Sequence, residues 1–159
     1  MTHPEASKDG FTIIETIIVL GIAGFIFLIV LLMIPALNRN GHNHSRRLAV
    51  SAILDATGRY QVNHGGGFPP DNSYLGSGPN NYNVPLYGYQ LSDVHINAPS
   101  PSTTAVTGKI QTADQIDIYS YFVCSSSTDA TNVGAGSRDV VALFEVETAS
   151  GLQPICQQL

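Results

Sequence analysis

An acidic side chain inside a long apolar segment is the feature of this sequence with the clearest chemistry. The chain is almost entirely apolar from Phe11 to Ile34, and Glu15 is the only charged residue of that segment. About 25 residues at about 1.5 Å per residue are enough for a helix to cross a bilayer. A carboxylate costs about 2.5–3.5 kcal/mol at the bilayer centre and less near a helix end, where Glu15 lies. Glu15 is therefore either a tolerated charge at the end of an anchor or a group that needs a cationic partner.

The two cysteines are the second candidate for chemistry. Cys124 and Cys156 both lie far downstream of the apolar segment. A bond between them closes a loop of about 33 residues and is worth about 3–4 kcal/mol in the chain-entropy model. Such a bond ties a C-terminal tail to a strand and suits a domain outside the cell, while two buried free thiols are the alternative.

Metal-binding and catalytic patterns are weak in this sequence. Two histidines, His42 and His44, share a polar linker without a nearby third ligand, and His64 lies beyond the following helix. Four aspartates are scattered without calcium-loop spacing: Asp114, Asp117, Asp129 and Asp139. No nucleophile elbow, zinc-protease helix or phosphate loop appears. We therefore predict no catalytic residue, no metal and no cofactor.

The N-terminal segment resembles the processing motif of type IV pilins and related pseudopilins. Gly10 is followed by Phe11, by Thr-Ile-Ile, by Glu15 and then by the rest of the apolar run. In that family a membrane peptidase cuts after the glycine and methylates the new N-terminus. The resemblance implies a leader peptide over residues 1–10, a mature N-terminus at Phe11 and an assembly role for Phe11 and Glu15.

Cleavage after Gly10 supplies the cation that Glu15 lacks. The new α-amine has a pKa near 7.7–8.0, so it is mostly charged at neutral pH. At about 4 Å and an effective dielectric constant near 20, its attraction to a carboxylate is roughly 4 kcal/mol before desolvation. Pairing between the amine of one subunit and Glu15 of a neighbour favours bundled helices, and cleavage then acts as an assembly switch.

Three residues predict irregularity in the apolar helix of residues 11–37. Gly21 and Gly24 each weaken a helix by up to about 1 kcal/mol, and small residues allow close packing in lipid. Pro35 lacks a backbone donor and crowds the carbonyl of Leu31, which predicts a kink. In the family a glycine and a proline often bracket a segment that unwinds, but the proline usually stands where this chain has Leu32.

Residues 38–159 predict one small exposed domain that begins with a helix. The polar residues 38–44 predict a weakened or broken helix, and residues 45–63 predict an amphipathic one. Its sheet-facing side comprises Ala49, Ile53, Ala56 and Tyr60. Val50 and Leu54 form a second strip that can meet neighbouring subunits. The glycines at 65–67 end this helix, and a loop follows over residues 64–83.

The rest of the domain, residues 84–159, predicts antiparallel strands. The strand-like runs are 84–91, which is an edge strand, then 103–112, 115–124 and 139–147. Ile116, Ile118, Phe122 and Cys124 share one face of the third run, and Val140, Ala142, Phe144 and Val146 share one face of the fourth. Residues 125–138 predict an exposed loop. The fold class is α+β, a long N-terminal helix on a small antiparallel sheet with a disulfide-closed C-terminal loop.

Charge and composition limit the classes of function that the chain can have. Charged residues make up 12% of the chain and the net charge is −5, which argues against a nucleic-acid binder. The triplet at Asn43 permits N-glycosylation, and the arginines between Arg39 and Arg59 can touch lipid headgroups, acidic neighbours or DNA. A solvated helix face is the favoured interpretation of those arginines.

We predict a structural subunit of a type IV pilus, which the family links to adhesion, twitching motility or DNA uptake. Its partners are other copies of itself, the prepilin peptidase, the pilus assembly platform and the cytoplasmic membrane; a host ligand is not predictable. Arginines follow the apolar run, but we place the leader in the cytoplasm because it must meet the peptidase there, and the domain outside. The alternatives are a pseudopilin of a type II secretion system and a tethered binding domain that never polymerises.

Overall fold

The computed structural model describes residues 10–97, 105–107, 114–132, 135–136 and 138–159. The predicted leader therefore lies outside the described residues except for Gly10, as does most of the predicted strand over residues 103–112. The chain divides into two compact units, Met1–Asn38 and Arg39–Leu159. The described part of the first unit is apolar helix, and the second unit is a small α+β domain.

Helix α1 spans Ile13–Asn63 and contains Pro35. The break predicted over residues 38–44 is wrong, because all of these residues are helical. Side chains of this polar stretch bond to the end of a strand, which stabilises the helical conformation. Asn43 Nδ2 donates to the carbonyl of Glu147 at 2.7 Å, and Asn43 Oδ1 accepts from the Glu147 N–H at 2.7 Å. The kink at Pro35 stays a prediction.

The predicted sheet-facing side of α1 is confirmed, but the prediction that its second strip can meet neighbouring subunits is wrong. Ala49, Ile53 and Ala56 are fully buried, as predicted. Val50 and Leu54 are also buried in the same core and leave no strip for a neighbouring subunit. The helix ends as expected at glycines, because Gly65 and Gly66 have φ values of 66° and 91°, which other residues rarely adopt.

A four-stranded sheet packs on α1 and holds the main core. Its strands are β1 (Val94–Asn97), β3 (Ile116–Ser120), β6 (Val140–Thr148) and β7 (Gly151–Gln158), in the order β1-β3-β6-β7. The pairs β3–β6 and β6–β7 are antiparallel, whereas β1 runs parallel to β3. The predicted antiparallel sheet is therefore mixed. The shared face of Val140, Ala142, Phe144 and Val146 is confirmed, since all four contribute to the core against α1.

A second, three-stranded sheet covers the other face of β6. It comprises β2 (Ala105–Thr107), β4 (Val123–Cys124) and β5 (Asp129–Thr131), in the order β2-β5-β4. A smaller core of Phe122, Ala130, Val141 and Leu143 lies beneath it. Strand β6 is thus buried on both faces over its first half. The loop predicted over residues 125–138 contains β5, and Ala130 is fully buried rather than exposed.

Two predicted strands are corrected by backbone geometry. Residues 84–91 form no strand, since Tyr87 and Gly88 have φ values of 50° and 101° and make a turn. The run 115–124 is split into β3 and β4 by Tyr121, whose φ is 62°. Phe122 and Cys124 therefore pack in the smaller core, so the predicted common face holds for Ile116 and Ile118 and is wrong for Phe122 and Cys124.

Candidate functional site

Glu15 lies in the first turn of α1, where it forms a reciprocal cap with Thr12. Its Oε2 accepts hydrogen bonds from the Thr12 N–H and from the Thr12 hydroxyl, each at 3.0 Å. The Glu15 N–H donates to Thr12 Oγ1 at 3.3 Å. This arrangement is a capping box, in which a threonine and a glutamate three positions later satisfy the free N–H groups of a helix start. The carboxylate therefore has a local role in addition to any role between subunits.

Sequence reasoning missed Thr12, although its signal was present. A Thr-x-x-Glu pattern immediately before an apolar run marks a helix N-terminus. In the structure Thr12 orients the carboxylate at the start of the helix.

The cap leaves one oxygen of Glu15 for another donor. Both bonds from Thr12 end on Oε2, and Oε1 has no hydrogen-bond partner among the described residues. An ionised carboxylate has room for about four hydrogen bonds over its two oxygens. Glu15 can therefore keep its cap and accept from a cation at the same time.

Gly10 and Phe11 precede the helix, which begins at Ile13. Both residues are exposed, Phe11 to 89%. A peptide bond outside a helix is free to enter a peptidase cleft in extended form, whereas a helical bond must first unwind. The predicted cleavage position is thus sterically open on its C-terminal side, and the cleavage itself stays a prediction.

The apolar half of α1 has the length and composition of a membrane-spanning helix. Its large apolar side chains are exposed throughout, from Ile13 to Leu37. Nothing lies within 4 Å of a Cβ atom built at Gly21 or Gly24. These glycines are open positions on an apolar surface, as close helix packing in lipid requires. This half of the helix is compatible with a single-pass anchor.

The predicted disulfide between Cys124 and Cys156 is confirmed, and the alternative of two free thiols is wrong. The bond joins β4 to β7, with a Cα–Cα distance of 5.8 Å. The Cys156 N–H also donates to the carbonyl of Ser127 at 2.7 Å. Both half-cystines pack on the smaller core. The bond therefore holds the two sheets together as well as the C-terminal strand.

Arg46 is a buried anchor, contrary to the predicted solvated helix face. Its guanidinium donates to Asp114 Oδ1 at 3.1 Å and to the carbonyl of Glu145 at 3.3 Å. It also lies 3.3 Å from Glu147 Oε1, and its side chain is only 8% exposed. Buried charges are tolerated when they are paired and hydrogen-bonded in this way. Arg46 fixes the helix to β6 and is not free to bind lipid or DNA.

Replacing Arg46 by Ala is expected to lower the free energy of unfolding by about 2 kcal/mol, because charged hydrogen bonds to three groups are lost together. Arg46→Lys keeps the charge without the planar fork and should fall between Arg46→Ala and the unsubstituted chain. Thermal unfolding of the full chain in detergent micelles measures the effect. The exposed Arg47→Ala is the matched control and should change stability by less than about 0.5 kcal/mol. Equal stability of the two alanine variants would contradict the anchoring role.

In the folded domain, the side chain of Asn43 in the glycosylation triplet is already engaged in hydrogen bonds. Both ends of the Asn43 amide bond to the backbone of Glu147, so the nitrogen that a glycan requires already donates a hydrogen bond. Modification therefore has to precede folding of this part of the domain.

Possible metal ligands do not converge in the described part of the chain. His42 Nδ1 lies 3.4 Å from Glu147 Oε1, and the ring of His64 is stacked on Tyr60 with a centroid distance of 3.9 Å. Asp114 bonds to Arg46. Among the described residues no group of three or more histidine, cysteine, aspartate or glutamate side chains is placed to hold a metal ion.

A single long apolar N-terminal helix together with a small β-domain fits the architecture of type IV pilins. No family model, no curated protein and no solved structure matches the chain.

Proposed function

We propose that the chain is a type IV pilin-like subunit that polymerises through its N-terminal helix into a cell-surface filament. Before assembly, the apolar half of α1 holds it in the cytoplasmic membrane, with the leader in the cytoplasm and the C-terminal domain outside. A prepilin peptidase cuts after Gly10 and methylates Phe11, and the pilus assembly platform then adds the subunit to the filament.

The observation that carries the proposal is the setting of Glu15. It is the only charge of the apolar run, it stands in the first helical turn, and one of its carboxylate oxygens has no partner among the described residues. A charge in lipid is usually functional and has a partner. A neighbouring copy offers that partner once its α-amine is released at Phe11.

The capping box determines the state of the helix start at the moment of cleavage. Thr12 and Glu15 cap the helix from within the chain, so the first turn is already formed when the leader is removed. The new amine then lies close to the helix start. Whether it pairs with the Glu15 carboxylate of its own chain or with that of a neighbouring copy depends on which of the two is nearer. In a bundle of helices, the Oε1 atom of a neighbour's Glu15, which has no partner among the described residues, can accept a hydrogen bond from this amine.

The exposed domain meets the demands of a filament surface. A disulfide joins its two sheets, and Arg46 and Asn43 bond the helix to β6. Force applied along α1 is therefore passed to the end of β6 rather than to a loop. Disulfides persist outside the cytosol, which agrees with a domain on the outer side of the membrane.

The test is the N-terminal residue of subunits sheared from the cell surface. Mass spectrometry of the recovered filament is expected to show chains that begin at Phe11 and carry one N-terminal methyl group. Gly10→Leu should prevent cleavage and leave the uncut chain in the membrane fraction. The matched control is Gly41→Ala, an exposed helical glycine with nothing within 4 Å of its Cβ position.

Two results would overturn the proposal. One is a purified filament whose chains still begin at Met1. The other is the absence of any filament from cells that make the protein in quantity and cut it after Gly10, which would favour a tethered binding domain.

A further inference from the structure

A cavity of about 530 Å³ opens beside the C-terminal end of α1, within the folded domain. Its volume lies in the range of about 300–1,000 Å³ that is typical of small-molecule sites. It is formed by the end of the helix, the 3₁₀ turn Asn72–Leu75 and the loop that follows. The side chains that matter for recognition are Tyr60, Asn63, His64, Asn80, Asn81 and Tyr82.

Aromatic rings form a fixed wall of this cavity. The rings of Tyr60 and His64 are stacked with an interplanar angle of 7°, and Tyr74 contacts both Tyr60 and Tyr82 edge to face. The Tyr74 hydroxyl bonds to Thr57 Oγ1 at 2.6 Å, and burial raises the pKa of Tyr74 to about 12, so this hydroxyl is neutral at physiological pH. The wall therefore offers rigid ring surfaces at little entropic cost to a ligand.

Hydrogen-bonding groups of both kinds line the same cavity. Asn63 Nδ2 donates to the Tyr82 oxygen at 2.9 Å, and among the described residues the Tyr82 O–H has no acceptor and Asn63 Oδ1 has no donor, so each can bond to a ligand. His64 Nδ1 lies 2.9 Å from the carbonyl of Tyr60, which can only accept. Nδ1 therefore carries a proton and donates it to this carbonyl.

Two further amides complete the polar side. The side chains of Asn80 and Asn81 make no hydrogen bond among the described residues, and both lie on the rim of the cavity. Each amide supplies one acceptor and two donor hydrogens. The cavity thus alternates donors and acceptors around an aromatic wall.

The charge of the cavity selects the class of ligand. Among the described residues, no lysine or arginine lines the cavity, and the one carboxylate that lines it, Asp71, accepts from the Ser73 N–H at 2.8 Å. Arg59 lies over the Tyr82 ring at 5.7 Å but pairs with Asp55 and does not line the cavity. Phosphorylated, sulfated and carboxylated ligands therefore find no lysine or arginine counter-charge among the described residues that line the cavity.

We propose that this cavity is a binding site for a neutral saccharide. A sugar ring presents apolar C–H faces to aromatic side chains and hydroxyl groups that both donate and accept hydrogen bonds, which matches the aromatic wall and the amide rim. The site does not depend on polymerisation, because every residue that forms it belongs to one copy of the folded domain.

The experiment is saturation-transfer NMR on the full chain in phosphocholine detergent, which carries no sugar headgroup. The probes are the methyl glycosides of glucose, galactose, mannose and N-acetylglucosamine, with N-acetylneuraminic acid as the anionic comparator. Saturation of aromatic protons is expected to transfer to the C–H groups of at least one neutral glycoside, and the transfer should saturate with concentration. The anionic sugar should bind more weakly than that glycoside.

Two variants and two controls locate the site. Asn80→Ala and Tyr82→Phe are each expected to raise the Kd of the bound glycoside by about five- to tenfold, since each removes a hydrogen bond to the ligand. The matched controls, Asn40→Ala and Tyr119→Phe, lie outside the cavity and should leave the Kd unchanged. Asn80 is exposed, and Tyr82→Phe keeps its ring, so both variants should unfold thermally near the temperature of the unsubstituted chain.

Three outcomes would overturn the proposal. They are the absence of saturable transfer to any of the neutral glycosides, transfer that Asn80→Ala and Tyr82→Phe leave unchanged, and preferential binding of the anionic sugar.

Discussion

Surface filaments are expected to disappear when Glu15 is replaced by Gln. This substitution removes the charge but keeps an oxygen that can accept from Thr12, because glutamine also forms a capping box. The lost attraction is about 4 kcal/mol before desolvation, for a separation near 4 Å and an effective dielectric constant of 20. If desolvation offsets about half of that, each contact still weakens roughly thirtyfold, and a filament has one such contact for every subunit.

Comparison with Glu15→Ala separates the charge from the cap. Alanine removes both, so equal loss of filaments in the two variants assigns the effect to the charge. Immunoblotting of the sheared and membrane fractions measures the outcome, and both variants should accumulate in the membrane. Glu145→Gln, a substitution in the folded domain, is the matched control. Normal filaments from Glu15→Gln with none from Glu15→Ala would assign the role of Glu15 to the capping box and contradict the ion pair.

Loss of the disulfide is expected to have the second largest effect. Cys124 and Cys156 are separated by 32 positions, and a loop of that length corresponds to about 4 kcal/mol in the chain-entropy model. The double variant Cys124→Ser/Cys156→Ser should therefore unfold about 15 °C below the unsubstituted chain, given the size of the folded domain. Near-UV circular dichroism of the tyrosines follows the domain without interference from the apolar helix.

Reduction of the unsubstituted chain is the control for this substitution. A phosphine reductant should lower its unfolding temperature to that of the double variant and should leave the double variant unchanged. An unfolding temperature within about 3 °C of the unsubstituted chain, corresponding to less than about 1 kcal/mol, would show that the sheets are held together without the bond.

The strands show why a sequence pattern predicts only part of the structure. The alternation in β6 correctly gave its face toward α1, because residues at every second position point to the same side. The opposite side carries Glu145 and Glu147, yet Val141 and Leu143 on that same side are buried under a second sheet. A strand pattern reports which faces are apolar, and only its neighbours decide which faces are covered.

The sequence by itself determined the features that depend on local composition. The apolar run, its single carboxylate and the glycine end of α1 each follow from residue type and spacing over one or two helical turns. Even the missed cap of Glu15 is local, since Thr12 lies three positions away. The cysteines lie outside this group, because their pairing was only one of two interpretations until β4 and β7 placed them together.

Tertiary structure alone decided the features that depend on distant partners. Residues 38–44 are helical because Asn43 meets the backbone of Glu147, and Arg46 is buried because Asp114 and Glu147 lie beside it. The parallel β1–β3 pair and the aromatic cavity likewise join segments far apart in the chain. The free energy of such contacts comes from residue pairs that are far apart in the sequence. Residue spacing therefore predicts the apolar helix and its single charge, whereas only the fold determines which distant residues contact the helix.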